Sequence, residues 1–149
     1  MITDVIKEQC ILESKDYFLV KHPDRVKLLG EVFTPTALVL EILEQLPLTV
    51  WEQGKTYLDP TCGNGQFLSA VLIAKMAMNH PEPLRSIYGV DIMQDNVDET
   101  RKRLLDIAGD TPANRTIVEH NILCKDGLEY DYSFGEQHNG TADNSPLFG

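Results

Sequence analysis

Two glycines, Gly63 and Gly65, lie in the run Asp59-Pro60-Thr61-Cys62-Gly63-Asn64-Gly65-Gln66-Phe67, between a short β-prone segment and a long apolar one. Thr56-Tyr57-Leu58 reads as a strand, and the apolar run from Phe67 to Met78 reads as a buried helix. A glycine loop at such a junction is how a nucleotide-bearing cofactor is held: no Cβ keeps the ligand from the backbone, and the helix start behind it offers free N–H groups. The spacing is not the full dinucleotide fingerprint, because Leu68 occupies the third glycine position. About two dozen residues on, Ile87-Tyr88-Gly89-Val90-Asp91 gives a second strand ending in an acid, where a carboxylate can accept from ribose hydroxyls. Alone, the loop is a glycine turn and Asp91 a helix cap or solvated strand end. Together they favour a bound cofactor.

Four ordered motifs then carry a family resemblance. Gly30-Glu31-Val32-Phe33-Thr34-Pro35, Asp59 to Phe67, Gly89-Val90-Asp91-Ile92 and Ile122-Leu123-Cys124-Lys125-Asp126-Gly127-Leu128 resemble the amino-terminal motifs of the adenine-N6 DNA methyltransferases. These are S-adenosylmethionine (SAM) enzymes of restriction-modification systems. The resemblance runs from about Gly30 to about Phe134. It implies that Phe33, Thr34 and Pro35 cover the cofactor, and that Asp59, Pro60, Cys62, Gly63, Gly65 and Phe67 surround its methionine part. It further implies that Asp91 binds the ribose, that Ile92 packs on the adenine, and that Asp126 contacts the adenine amino group.

The implied roles suit the ligand's charge. The sulfonium is cationic and the amino acid end zwitterionic, so an acid such as Asp59 beside the loop fits the ammonium group. No basic residue lies between Tyr57 and Ala74, which argues against a pyrophosphate cofactor. Phe33 and Ile92 could sandwich a purine or simply be core. Cys62 reads either as a small buried hydrophobe or as a reactive thiol.

One family element is missing from the pattern. The resembling enzymes carry an Asn, Asp or Ser followed by Pro-Pro and an aromatic, which holds the target adenine's amino group and stacks on a base flipped out of the duplex. After Phe134 the chain is polar and turn-rich and reads as a flexible tail; Asn144-Ser145-Pro146-Leu147-Phe148 echoes the motif but lacks one proline. No catalytic residue is assigned, and no stretch is long enough for a target-recognition domain. A chain without those groups is expected to bind SAM without using it, unless it is completed from elsewhere.

Composition bounds the partners. The 149 residues can bury one core, and 13 basic against 23 acidic side chains give a formal net charge of −10. DNA-gripping proteins display a basic face. Here the basic groups are small, Lys21, Arg25 and Lys27 near the start and Arg101-Lys102-Arg103 later, and each reads as a solvated helix face. DNA binding is therefore expected to be weak or to run through a partner subunit. The three cysteines and four histidines show no disulfide framework or metal spacing, so no metal is implied. There is neither a signal peptide nor a membrane-length apolar run, and the expected location is the cytoplasm.

The elements that must position these residues follow from pattern and punctuation. Thr3 caps a helix expected to reach about Val20; Lys21-His22-Pro23-Asp24 is a break; and Thr34-Pro35 opens a helix to about Leu46. After the Tyr57 strand, the loop, the Phe67 helix and the Ile87 strand come a charged helix from Asp95 to about Ile107 and a third strand from Ile117 to about Ile122. The fold class is α/β, a partial doubly wound (Rossmann-like) SAM-dependent methyltransferase fold with amino-terminal helices. Residues 1–29 form the helical extension, 30–134 the SAM-binding domain and 135–149 the tail.

In a full sheet of this type the first strand is flanked on both sides; here the Tyr57 strand becomes an exposed edge, which templates association. The chain is thus expected to self-associate or to be completed by a partner polypeptide. Three readings stand: a phage- or mobile-element-like adenine methyltransferase, a catalytically inactive SAM-binding regulatory or decoy module, and an acidic interaction protein that binds no cofactor.

Overall fold

Thr3 starts the first helix by accepting from the Ile6 amide at 3.3 Å, leaving α1 to run Asp4–Ser14. The computed structural model describes residues 1–135, so the echo at Asn144–Phe148 and all but the first residue of the expected tail lie outside the described residues. α1 stops six residues before the expected Val20. The cause is tertiary: the Tyr17 ring lies 3.9 Å beneath the Arg103 guanidinium, and the Leu19 carbonyl accepts from the Phe33 amide at 2.8 Å. Those contacts hold the chain off the helical path.

The expected break at Pro23 is instead a start. Proline at the first helical position loses no intrahelical bond, and α2 runs Pro23–Leu29 until Gly30, at φ 66°, closes it in a left-handed cap. Pro35, by contrast, stands just outside its helix, capping α3 (Thr36–Glu44). A 3-10 turn at Leu48–Trp51 leads to β1 (Tyr57–Asp59).

Beyond β1 come α4 (Gln66–Ala77), β2 (Ile87–Asp91) and α5 (Gln94–Ala108), close to expectation. The third strand is displaced. Residues from Ile117 onward, read as a strand on their β-branched content, finish a helix, α6 (Pro112–Asn121), and β3 is only Ile122–Cys124. Thr111 accepts from the Asn114 amide at 3.1 Å and Pro112 sits at the first turn, so a strong helix start overrides local β preference.

The sheet is parallel in the order β1-β2-β3, with Asp59 beside Gly89 and Asp91 beside Cys124. Two crossovers advancing in one direction with one hand place α4 and α5 on the same face, α4 on β1 and β2, α5 on β2 and β3. α1 and α3 pack on the far side of α4, which explains why that helix is apolar nearly all round. Leu68, Val71 and Leu72 from α4 meet Val39, Leu43, Ile87, Val97, Leu104 and Ile122 in the core. Gly89 is needed at the centre of β2, since a Cβ there would stand 2.6 Å from Leu68 Cδ1.

The opposite face of β2 carries Tyr88, against which the buried Phe134 ring packs edge-on at 4.9 Å, with Tyr130 and Tyr132 beside it. Residues 126–134 thus cover part of that face. Among the described residues β1 is hydrogen-bonded on one side only, as expected of an edge.

Several basic groups taken as solvated are structural. Arg103 is 1% exposed and donates to both Glu13 oxygens, to the Asn64 carbonyl and to Gln66 Oε1. Arg101 donates to the Ile122 carbonyl, and Lys21 and Arg25 bind acids on α5. Charge-assisted bonds to half-buried acids and to carbonyls are a better use of these cations than facing water.

Candidate functional site

β1 and β2 run parallel and in register, so both deliver an acid, Asp59 and Asp91, to the same carboxyl edge of the sheet, where open α/β sheets bind ligands. The glycine loop crosses that edge. Its bends are fixed from three sides: the Cys62 amide donates to the Val90 carbonyl at 2.8 Å, the Gly63 amide to Asp91 Oδ2 at 2.9 Å, and Thr100 Oγ1 to the Gly63 carbonyl at 2.9 Å. Gly63 and Gly65 have φ 55° and 86°. Both are also sterically committed: a Cβ on Gly63 would lie 2.8 Å from the Phe33 ring, and one on Gly65 3.2 Å from Thr100 Cγ2.

A strap made of residues 17–35 closes the other side. Gln66 Nε2 donates to the Thr34 carbonyl at 2.6 Å and Asn64 Nδ2 to the Phe18 carbonyl at 3.3 Å, joining strap to loop. Arg25 grips Glu31 through Nε at 2.9 Å and Asp95 through Nη1 at 3.0 Å, joining strap to α5. Between strap and loop lies a cavity of about 440 Å³, within the range of small-molecule sites.

Eight of the twelve expected residues line it: Phe33, Thr34, Asp59, Cys62, Gly63, Phe67, Asp91 and Ile92. Four do not. Pro35 caps α3, Gly65 caps α4, and the Pro60 carbonyl abuts Gly127, where a Cβ would come within 2.6 Å of it. Asp126 is exposed and spends its carboxylate on the Leu128 amide at 3.0 Å. Glu31, Asn64 and Gln66 line the cavity without having been singled out. All three lie within the ordered motifs, and the pairing of Glu31 with Arg25 six residues back leaves no periodic signal.

Among the described residues three carboxylates, Glu31, Asp59 and Asp91, line this cavity, and no basic side chain does. Burial pushes the Asp59 carboxyl above the usual carboxylate range; the Thr61 N–H opposes that shift and the Asp91 charge adds to it. A nearby cation would relieve both causes. Burial, then the charges of Asp59 and Asp91, also push the Cys62 thiol up, so of the two readings of Cys62 the geometry favours the small buried group. Asn64 is 1% exposed, and its Oδ1 is a buried side-chain acceptor with no partner. The charge and the glycine cradle fit a cationic, zwitterionic nucleoside, and the unpartnered Asn64 Oδ1 lies buried behind the wall.

A small parallel sheet opening at its carboxyl edge into such a cavity is an α/β arrangement compatible with a methyltransferase-like fold. The chain is similar to the type II methyltransferase M.VspI of Vibrio sp. (strain 343), with 27% identity over 117 residues. That match covers 78% of this chain and 25% of the relative, so the chain spans a quarter of the relative's length. No family model and no solved structure matches the chain. The similarity supports a methyltransferase relationship. No helix among the described residues is long and apolar enough to cross a membrane, and they hold no cluster of metal-binding side chains.

Proposed function

We propose that this chain binds SAM between the strap and the glycine loop and is the cofactor-binding part of a DNA methyltransferase acting on adenine N6. The observation that carries the reading is a cavity walled, among the described residues, by three carboxylates, no basic side chain and a glycine cradle. Asp59 would hold the ammonium group, the free N–H groups at the α4 start the carboxylate, and Asp91 the ribose; Phe33 and Ile92 would flank the adenine. Bound SAM supplies a methyl group on a cationic sulfur, open to attack by a lone pair. What this chain's residues contribute is position: they fix the nucleoside, shield it from water and hold the sulfonium side near Asp59. The adenine-N6 target rests on the four ordered motifs. The groups that grip the target base, and the contacts to DNA, would come from a completing polypeptide seated on the open edge of β1.

The test is calorimetric titration of the purified chain with SAM and S-adenosylhomocysteine beside an Asp91→Ala variant. Saturable binding lost in the variant is the expected result; a folded wild type that binds neither sinks the reading. A second reading, a SAM-binding regulatory or decoy module, is favoured by the net charge of −10, which suits protein contacts better than DNA. Methyl transfer from labelled SAM to adenine-containing DNA, with a completing subunit present, separates the two.

A further inference from the structure

We infer that the ribose diol is gripped by two carboxylates from different elements, Asp91 at the end of β2 and Glu31 on the strap, bridged and spaced by the buried Asn96 amide. The inference rests on the cofactor reading above and deepens it.

Acceptor capacity drives the argument, since an ionised carboxylate offers about four lone-pair sites, two per oxygen. Asp91 Oδ1 accepts from the Met93 amide at 2.9 Å and from Asn96 Nδ2 at 3.1 Å, which fills it. Oδ2 accepts from the Gly63 amide at 2.9 Å and keeps one site. Asp91 therefore cannot take two hydroxyls without surrendering a bond that shapes the glycine loop or the start of α5. Glu31 is filled in the same way. Its Oε2 accepts from Arg25 Nη2 at 3.2 Å and Asn96 Nδ2 at 2.8 Å, whereas Oε1 accepts only from Arg25 Nε at 2.9 Å. Each acid is left with one open site, and both line the cavity.

Asn96 is what makes them a pair. It is 0% exposed, its amide nitrogen reaches both carboxylates, and its oxygen accepts from Lys21 Nζ at 3.1 Å and Arg25 Nη2 at 3.3 Å. Every polar position on this side chain is used. The two cations offset the repulsion between two acids held against one amide. A vicinal diol presents two O–H donors, one for each open site. Such a pair ties nucleoside capture to the strap and rejects a phosphorylated ribose by like-charge repulsion.

The test is calorimetric titration of the full chain with adenosine, 2′-deoxyadenosine, 3′-deoxyadenosine and SAM, in wild type, Glu31→Ala and Asp91→Asn. Each hydroxyl bonded to a carboxylate should contribute about tenfold in affinity. Glu31→Ala should erase the preference for one hydroxyl and keep the other; Asp91→Asn should do the converse. The ratio of affinities within one variant cancels any general loss of folding, and Glu31→Gln, which preserves shape, serves if the alanine variant does not fold. If the Glu31 variants lower all affinities equally, or keep both hydroxyl preferences, Glu31 serves only to hold Arg25 and the inference is overturned while SAM binding stands. Wild-type binding without any hydroxyl preference overturns it as well. A folded wild type that binds neither SAM nor adenosine overturns both readings.

Discussion

The two walls of the cavity are built by different physics. The glycine loop is held through its main chain: its amides and carbonyls bond to β2, to α4 and to each other, and the Asp91, Thr100 and Arg103 side chains bond directly to them, while its bends are set by residues at positive φ. The strap is held by side chains: Arg25, Lys21 and Asn96 reach acids and an amide some 70 residues apart in sequence, and only the Leu19–Phe33 bond ties strap backbone to strap backbone across its span. A wall made of main chain is fixed by the fold. A wall made of ion pairs is separable, and it can respond to a ligand or to acid.

Arg103 is where the comparison breaks most violently, because this one side chain serves both walls. It bonds to the loop carbonyl of Asn64 and to Gln66, and it supports the Tyr17 ring at the root of the strap. Arg103→Met fills the space but abandons Glu13, which is only 19% exposed, and two loop acceptors. Breaking a buried pair from one side costs about 3–5 kcal/mol, and urea unfolding should show a loss of that order. A loss below about 1 kcal/mol would mean the guanidinium is a surface group after all.

Gly63→Ala attacks only the contact between the walls. The new Cβ would demand a left-handed backbone at φ 55° and sit 2.8 Å from Phe33. The backbone term alone is about 1–2 kcal/mol, so SAM affinity should fall about tenfold or more. Pairing it with Phe33→Ala removes the obstacle, and the double variant should lose less than the sum of the singles. Strict additivity would show that Phe33 does not lie against Gly63 in solution.

Asp59→Asn sharpens the comparison by separating function from stability in the backbone-held wall. The Asp59 carboxyl is raised by burial, so between its usual value and its folded value the native state holds the proton more tightly than the unfolded chain does. Its contribution thus turns unfavourable as pH rises through that window. At neutral pH the ligand-free asparagine variant should melt higher than wild type and bind SAM more weakly. A variant that melts lower would show that the charge is satisfied without a ligand.

The same division governs what could be read from sequence. β1, the loop, α4 and β2 are local: a short apolar strand, two glycines and a continuous apolar run specify them, and both acids follow from strand ends. Of the strap only the Phe33-Thr34 end was legible, through the family resemblance. Pro23 is a breaker or a first-turn residue depending on whether a helix follows, and a helix of seven residues offers too few apolar positions to announce itself. α6 differs from the expected strand because its cap decides it: Thr111 and Pro112 start a helix that carries through the β-branched Ile117 and Val118. Glu31, Asn96 and Arg103 gain their roles from partners far away in sequence, and no spacing rule points to them.

The gentlest way to part the two walls is acid. Burial opposes ionisation of Asp95, but the hydrogen bond from Arg25, with the charges of Lys21 and Arg25, holds its carboxyl down to about 2. His22 Nε2 lies 3.3 Å from the same carboxylate, and Glu31 competes with it for Arg25. A folded value below the unfolded one means that the stabilisation is complete above the usual aspartate range and is lost as pH falls towards about 2. The Asp95 side chain is 39% exposed, so solvent screening keeps the energy small, too small to unfold the core. The loop bonds to a carboxylate at Gly63, but its Cys62–Val90 and Gly65–Cys62 bonds run between amides and carbonyls and carry no group that titrates. Hydrogen exchange followed down through pH 3 should therefore show α2 amides losing protection while α4 amides keep theirs, and Asp95→Asn should reproduce that pattern at neutral pH. If α2 and α4 lose protection together, the strap is part of the same cooperative unit as the loop, and the two walls are one.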